Sequence, residues 1–165
     1  MLFRSAHFPI RDYENKGGQA KAWIEVGASQ PDMQPASFSN YGKKEVDIFA
    51  PGTEIYATAP DNGYKVLQGT SMAAPVVAGC AALLRAYYPE LTAEQVKAIL
   101  LKSVTKVKGK VNMPVDDEKS EAASAKGKEY KAGKIKYKKL CKSGGIVNVY
   151  NAVKVAEEMK GGGRK

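Results

Sequence analysis

The residues best suited to chemistry form one run, residues 69–79, with the sequence GTSMAAPVVAG. Gly69 ends an extended segment and lets the chain turn tightly. Ser71 follows where a long apolar helix is predicted to begin, so its backbone N–H lacks an intrahelical partner and lies at the positive end of the helix dipole. The oxyanion of an acyl transfer needs fixed donors of this kind about 3 Å away. The run therefore predicts a serine nucleophile at position 71.

A simpler role for Ser71 also fits this position, because serine is a common helix N-cap. From geometry alone the cap is the better interpretation. Two other serine patterns are weaker. The G-x-S-x-G pattern fails because Ala73 replaces its last glycine. Ser103 and Lys106 match S-x-x-K, but the S-D-N and K-T-G partner motifs are absent, so we interpret this match as chance.

Longer stretches of sequence favour the nucleophile. Residues 69–75 (GTSMAAP) resemble the active-site serine motif of the subtilisin-like serine proteases. Three earlier blocks also resemble segments of that family and follow the family's order: residues 24–28 (IEVGA), 36–42 (ASFSNYG) and 46–52 (VDIFAPG). The resemblance covers residues 23–104 and, more loosely, residues 144–156. Val76 stands where the family commonly has a non-catalytic histidine, which leaves the resemblance intact.

The resemblance implies a fold, an activity and a location. The fold would be α/β, the C-terminal part of a three-layer αβα domain with a mainly parallel sheet. The full-length parent would be a serine endopeptidase acting on polypeptide substrates, with Ser71 as nucleophile and its backbone N–H as one oxyanion donor. An extracytoplasmic location would follow from the family. A non-catalytic binding domain that retains the protease fold is the alternative.

The partners of Ser71 are not found in this sequence. The single histidine, His7, precedes Phe8 and lies too near the serine to match the family's histidine motif. Asp12 has no buried strand before it, and Asn15 lacks the Ala-Gly context of the oxyanion asparagine. We therefore expect the chain to be a fragment that pairs with a missing N-terminal part of the same domain. We also expect it to be inactive alone.

The pattern of elements agrees with such a fragment, because short strands come first and helices follow. Strands are predicted over residues 23–28, 46–50, 54–58 and 64–68. A helix over residues 71–88 is apolar all round and is expected to be buried on every side, with Pro75 in its first turn. Thr92 and Gln95 form a capping box for a second helix, with Val96, Ile99, Leu100 and Val104 along its apolar stripe, and a last helix covers residues 148–159.

The domain prediction is a partial catalytic domain over residues 1–160, a lysine-rich loop or insertion over 106–142, and a frayed tail over 161–165. The chain has a net charge of +9, and twelve of its lysines lie between Lys106 and Lys142. Acidic residues are interleaved with them and no aromatic stacking pattern appears, so we predict a solvated loop and no nucleic-acid partner.

Other partners and cofactors are given little support. The apolar stretch 73–84 is too short to predict a membrane span. Cys80 and Cys141 do not form a metal-binding pattern, and whether they pair is left open. We identify no cofactor, and the resemblance leaves structural calcium in a longer parent open.

Overall fold

The structure is a computed structural model that describes residues 17–114, 125–126 and 133–161. The rejected candidates His7, Asp12 and Asn15 lie outside the described residues, as do the middle of the lysine-rich segment and residues 162–165 of the tail.

A four-stranded sheet forms the centre of the chain. Its strand order is β1-β2-β8-β5, with β1 parallel to β2, β2 parallel to β8, and β5 antiparallel to β8. The mainly parallel α/β sheet predicted from the sequence is confirmed. The four strands are β1 (Val26–Ser29), β2 (Ile48–Pro51), β5 (Thr105–Lys106) and β8 (Gly145–Ile146).

Two antiparallel hairpins lie outside this sheet. The first pairs β3 (Ile55–Ala59) with β4 (Gly63–Leu67), and the second pairs β6 (Lys110–Asn112) with β7 (Lys134–Lys136). A short 3₁₀ helix over Tyr137–Lys139 follows β7. The ends of the lysine-rich segment thus contain regular elements, with Val111, Tyr137, Leu140 and Cys141 buried, rather than a uniformly solvated loop.

Three helices complete the described part: α1 (Thr70–Tyr87), α2 (Ala93–Lys102) and α3 (Val149–Gly161). The capping box of α2 is confirmed, because the Thr92 hydroxyl accepts from the Gln95 N–H and the Gln95 side chain accepts from the Thr92 N–H. Val96, Ile99 and Leu100 face the core from α2 as predicted, and Val104 is buried just beyond its end. Ala152 and Ala156 do the same from α3.

Alternate residues of β2 divide the apolar core between the two faces of the sheet. Ile48 and Ala50 pack with α1, α2 and α3 in the larger cluster. Phe49 points the other way, where it joins Val111 of β6 and the buried residues Tyr137, Leu140 and Cys141 that follow β7 in a second cluster. The side-chain period of two in a strand therefore places helices on one face of β2 and the second hairpin on the other.

The predicted burial of α1 on every side is wrong for this chain. Ala73, Val77 and Leu84 are buried against the sheet and the other helices. The opposite face is exposed, including Leu83 at 39% and Tyr87 at 72%. An apolar sequence shows what a helix can bury, but the neighbours present decide which faces are covered.

The position of Pro75 also differs from the prediction. Because α1 begins at Thr70, Pro75 is the sixth helical residue and lies in the second turn. A proline there has no N–H to donate to the carbonyl four residues earlier, which belongs to Ser71. The first turn ends at the Ala73 N–H, which donates to the Gly69 carbonyl.

By length and composition α1, with 18 residues, could cross a membrane, whereas the prediction considered only the apolar stretch 73–84 within it. One such helix is weak evidence for a span. The contacts of α1 with β1 and β2, and with the other helices through Ala73, Val77 and Leu84, are those of a helix in a globular core.

Candidate active site

Ser71 is the second residue of α1, and its side chain is exposed. The residue before the helix, Gly69, has φ 151° and ψ 162°. This region of backbone space is essentially restricted to glycine. Only Gln68 and Gly69 separate the end of β4 from the start of α1, so the sharp change of direction at Gly69 presents the Ser71 hydroxyl at the helix N-terminus.

A second glycine holds this turn against the central sheet. The Gly69 N–H donates to the Gly52 carbonyl at 2.7 Å, and the Gly52 N–H donates to the Ser29 carbonyl at 3.0 Å. A Cβ at Gly52 would lie 2.6 Å from the Ala28 Cβ and 2.9 Å from the Gly69 carbonyl oxygen. The chain after β2 can therefore approach both β1 and the start of α1 only without a side chain. The ends of β1 and β2 fix where Ser71 lies.

The alternative role of Ser71 as an N-cap is not observed. Gly69 occupies the cap position, and no side chain makes a capping hydrogen bond at this helix end. The amides of Met72 and Ala73 both donate to the Gly69 carbonyl. The Ser71 hydroxyl has no structural hydrogen bond to another described residue, so it is available for chemistry.

The Ser71 N–H is also available. It precedes the first intrahelical hydrogen bond, and it donates to no acceptor among the residues that the structure describes. It lies at the positive end of an 18-residue helix. A hydroxyl and a free backbone donor on one residue, at a helix N-terminus, can attack a carbonyl and then stabilise the resulting oxyanion.

The hairpin of β3 and β4 leads directly into this helix end. The rings of Tyr56 and Tyr64 stack on its surface with centroids 5.3 Å apart, and both are more than half exposed. Val66 and Leu67 are exposed beside them. Sequence reasoning predicted the two strands but not this aromatic pair, because the pair depends on cross-strand register.

The remaining chemistry-bearing residues have structural roles. Ser103 is the C-cap of α2, and its buried hydroxyl donates to the Leu100 carbonyl at 3.3 Å, so the S-x-x-K match has a structural explanation. Cys80 and Cys141 are both free thiols, and burial raises the pKa of Cys80. Across residues 17–114, 125–126 and 133–161, no three His, Cys, Asp or Glu side chains converge on a potential metal position.

The fold and the site together define an α/β protein with a serine at the N-terminus of a core helix. Comparison with known families narrows this class, because the Subtilase family matches residues 11–126. The chain therefore belongs to the subtilase family of serine proteases.

Curated relatives agree with this assignment. Subtilisin DY of Bacillus licheniformis is 48% identical over 82 residues, covering 50% of this chain and 30% of that protein. Subtilisin-like protease 2 of Plasmodium falciparum is 38% identical over 106 residues, covering 61% of this chain and 8% of the relative. Alkaline serine exoprotease A of Vibrio alginolyticus is 40% identical over 94 residues, covering 54% of this chain and 17% of the relative. The chain thus spans less than a third of the length of each.

A solved structure supports the fold. A chain from the structural study of subtilase cytotoxin SubAB assembly aligns with 82% of this chain and 37% of its own length, with a TM-score of 0.55 and 22% identity. The predicted subtilisin-like architecture is confirmed at the level of the fold.

Proposed function

We propose that this chain is the nucleophile-bearing part of a serine endopeptidase, with Ser71 as the nucleophile. One observation carries the proposal: Ser71 follows a glycine-only turn at the N-terminus of α1, and its hydroxyl makes no capping hydrogen bond. Membership of a serine protease family supports it independently of that geometry.

In the proposed reaction the Ser71 oxygen attacks the scissile carbonyl of a polypeptide and forms an acyl-enzyme. The Ser71 N–H donates to the oxyanion that develops. A histidine must take the serine proton, and an aspartate must orient that histidine. The one histidine of this chain does not fit that role by sequence context, so the histidine, the aspartate and a second oxyanion donor come from elsewhere in the protein.

The exposed face of α1 supports the existence of such a further part. Its apolar and small side chains, with Leu83 and Tyr87, face away from the sheet. Burial of apolar surface contributes about 25 cal/mol per Å², so a stable domain would cover this face. We propose that the remainder of the catalytic domain packs there, and that the chain alone lacks activity.

The experiment is labelling of the full-length protein with a fluorophosphonate, followed by peptide mapping of the modified residue. Labelling of Ser71 is expected, with loss in S71A and no change in S37A, which removes an exposed serine outside α1. Labelling elsewhere, or none in a folded protein, would favour the non-catalytic binding domain that is the second candidate.

Location, cofactors and other partners follow from the proposed family role. We propose an extracytoplasmic enzyme that needs no redox or organic cofactor and has no nucleic-acid partner. Calcium dependence of stability in the full-length protein would reveal a structural metal, and fractionation of the source cells would test the location.

A further inference from the structure

The outer face of the β6–β7 hairpin carries a row of exposed lysines. Lys110, Asn112, Lys134 and Lys136 are all exposed, and we call these four residues the lysine ribbon. Lys110 lies directly opposite Lys136 in the antiparallel register, and Asn112 lies opposite Lys134. Like charges directly opposite each other destabilise a strand pair. Lys110 and Lys136 therefore repel each other across the strand pair.

The other face of the hairpin is anchored in the core, which fixes the direction of the lysines. Val111 is 2% exposed and belongs to the second core cluster, and Ile135 packs against the same cluster. Their partners there include Phe49 and Tyr137, whose rings meet edge to face at 5.5 Å. Because strand side chains alternate, burial of Val111 and Ile135 holds the ribbon lysines outward.

No acidic side chain in the described residues compensates these lysines. The ammonium groups of Lys110, Lys134 and Lys136 form no ion pair with another residue in the described ranges. The neighbouring Lys108 and Lys138 are exposed as well, so the positive field extends along the hairpin. An anionic partner would remove the repulsion and gain charge-assisted contacts.

The two edges of the hairpin differ. On β6, the Asn112 N–H donates to the Gln34 side-chain oxygen at 3.1 Å, which occupies that edge. Among the described residues β7 pairs with β6 alone, so the N–H and C=O of Lys134 and the N–H of Lys136 face away from β6 without a backbone partner, while the Lys136 carbonyl caps the 3₁₀ helix that follows. The free N–H and C=O groups of this short edge can pair with one more strand.

From the charge and the open edge we propose that β7 binds an acidic polypeptide segment in extended conformation. The segment adds as a third strand, and its carboxylates meet the ribbon lysines on the shared face. A second copy of this chain is disfavoured because it would bring lysine against lysine. The four ribbon residues include no aromatic or apolar side chain to stack on bases or enter a lipid surface.

The test uses the full-length protein with S71A, so that the peptide stays intact whether or not the protein is a protease. The probe is a fluorescent octapeptide of alternating Glu and Thr, which places all its carboxylates on one face of a strand. Fluorescence anisotropy is expected to show binding that weakens about tenfold in K110Q/K134Q/K136Q. The matched control K21Q/K43Q/K44Q also removes three exposed charges and is expected to change binding by less than about twofold.

Two N-methylated peptides test strand addition without altering the protein. One is methylated on the Glu amides and the other on the Thr amides, because alternate amides of a strand point to opposite sides. One of the two should lose binding and the other keep it. If both bind like the parent peptide, strand addition is wrong.

Three further results would overturn the proposal. Equal losses in the two triple variants would mean that only net charge matters. Ribbon-dependent binding of an oligothymidylate as tight as that of the peptide would indicate a nucleic-acid site. The same result with phosphatidylserine vesicles would indicate a membrane site. Since the ribbon substitution removes repulsion, its melting temperature is expected to be equal or higher, so loss of fold does not obscure the result.

Discussion

At the scale of single residues, Gly69 links the central sheet to Ser71 at the start of α1. Its backbone conformation strains any residue with a Cβ, at a cost of about 1–3 kcal/mol. We expect G69A to lower the free energy of unfolding by this amount and to slow fluorophosphonate labelling of Ser71 in the full-length protein. Denaturant titration and labelling kinetics measure the two effects.

A control for this substitution is G63A. Gly63 has an ordinary backbone conformation, and an added Cβ would approach only the Pro60 carbonyl oxygen at 3.4 Å. Its free energy of unfolding should change by less than about 0.5 kcal/mol. Normal labelling and stability in G69A would show that the glycine turn does not position Ser71.

Tyr137 gives a pH-dependent prediction at the same scale. Its hydroxyl is buried, and no described residue pairs with it. Burial raises the pKa of Tyr137, and the nearby Cys141 raises it further. The folded state therefore holds the phenolic proton above pH of about 10, where the unfolded chain releases it. The contribution of Tyr137 to the unfolding free energy is therefore fully present below a pH of about 10 and is lost as the pH rises above it.

The expected outcome is that Y137F removes this part of the alkaline decline. One retained proton is worth about 1.4 kcal/mol per pH unit, so the slopes of wild type and variant above pH of about 10 should differ by up to this value. At neutral pH the variant should be as stable or about 1 kcal/mol more stable, because an unpaired buried hydroxyl is removed. Urea titrations at several pH values measure these slopes, and Y87F, which changes an exposed tyrosine, is the control.

At the scale of elements, local signals predicted what local interactions determine. Thr92 and Gln95 specify the start of α2 by their own hydrogen bonds, so this helix end could be read from the sequence. The strands β5 and β8 have two residues each, too few to show a periodicity in the sequence. They are defined by pairing in the fold, where β8 lies between β2 and β5. The exposed face of α1 could not be predicted either, since a sequence does not show which neighbour covers a helix.

The candidate site follows the same division. The sequence motif around Ser71 is local and could be recognised. The hydrogen bond between Gly69 and Gly52, which holds the start of α1 against the sheet, joins residues 17 positions apart and is defined only by the fold.

The capping box makes a prediction for α2 as an element. T92A removes the acceptor of the Gln95 N–H, a bond of 3.2 Å, and should cost about 1 kcal/mol of unfolding free energy. Q95A removes the reciprocal bond of 2.8 Å to the Thr92 N–H. Because the two bonds belong to one motif, a double-mutant cycle should show a coupling of about 0.5 kcal/mol. Strict additivity of the two single losses would contradict the box.

At the scale of the whole molecule, a buried ionic contact ties α2 to the edge of the central sheet. The Lys97 ammonium lies 3.6 Å from a carboxylate oxygen of Asp47, a residue that is 1% exposed. It also donates to the Trp23 carbonyl. The same carboxylate oxygen of Asp47 accepts from the Glu25 N–H at 3.1 Å, so Asp47 joins the segment before β1 to the segment before β2. Lys97, through its contacts with Asp47 and the Trp23 carbonyl, connects α2 to both of these segments.

Removal of the lysine alone should therefore be costly, because it takes away a positive charge that faces a buried carboxylate. We expect K97M to lower the unfolding free energy by more than about 1 kcal/mol, and K97M combined with D47N to recover part of that loss. The matched control is K102M, which replaces an exposed lysine on the same helix and should change stability by less than about 1 kcal/mol. Denaturant titration of the full-length protein separates these outcomes. If K97M costs no more than K102M, the contact does not hold α2 to the sheet, and α2 is retained by its apolar stripe alone.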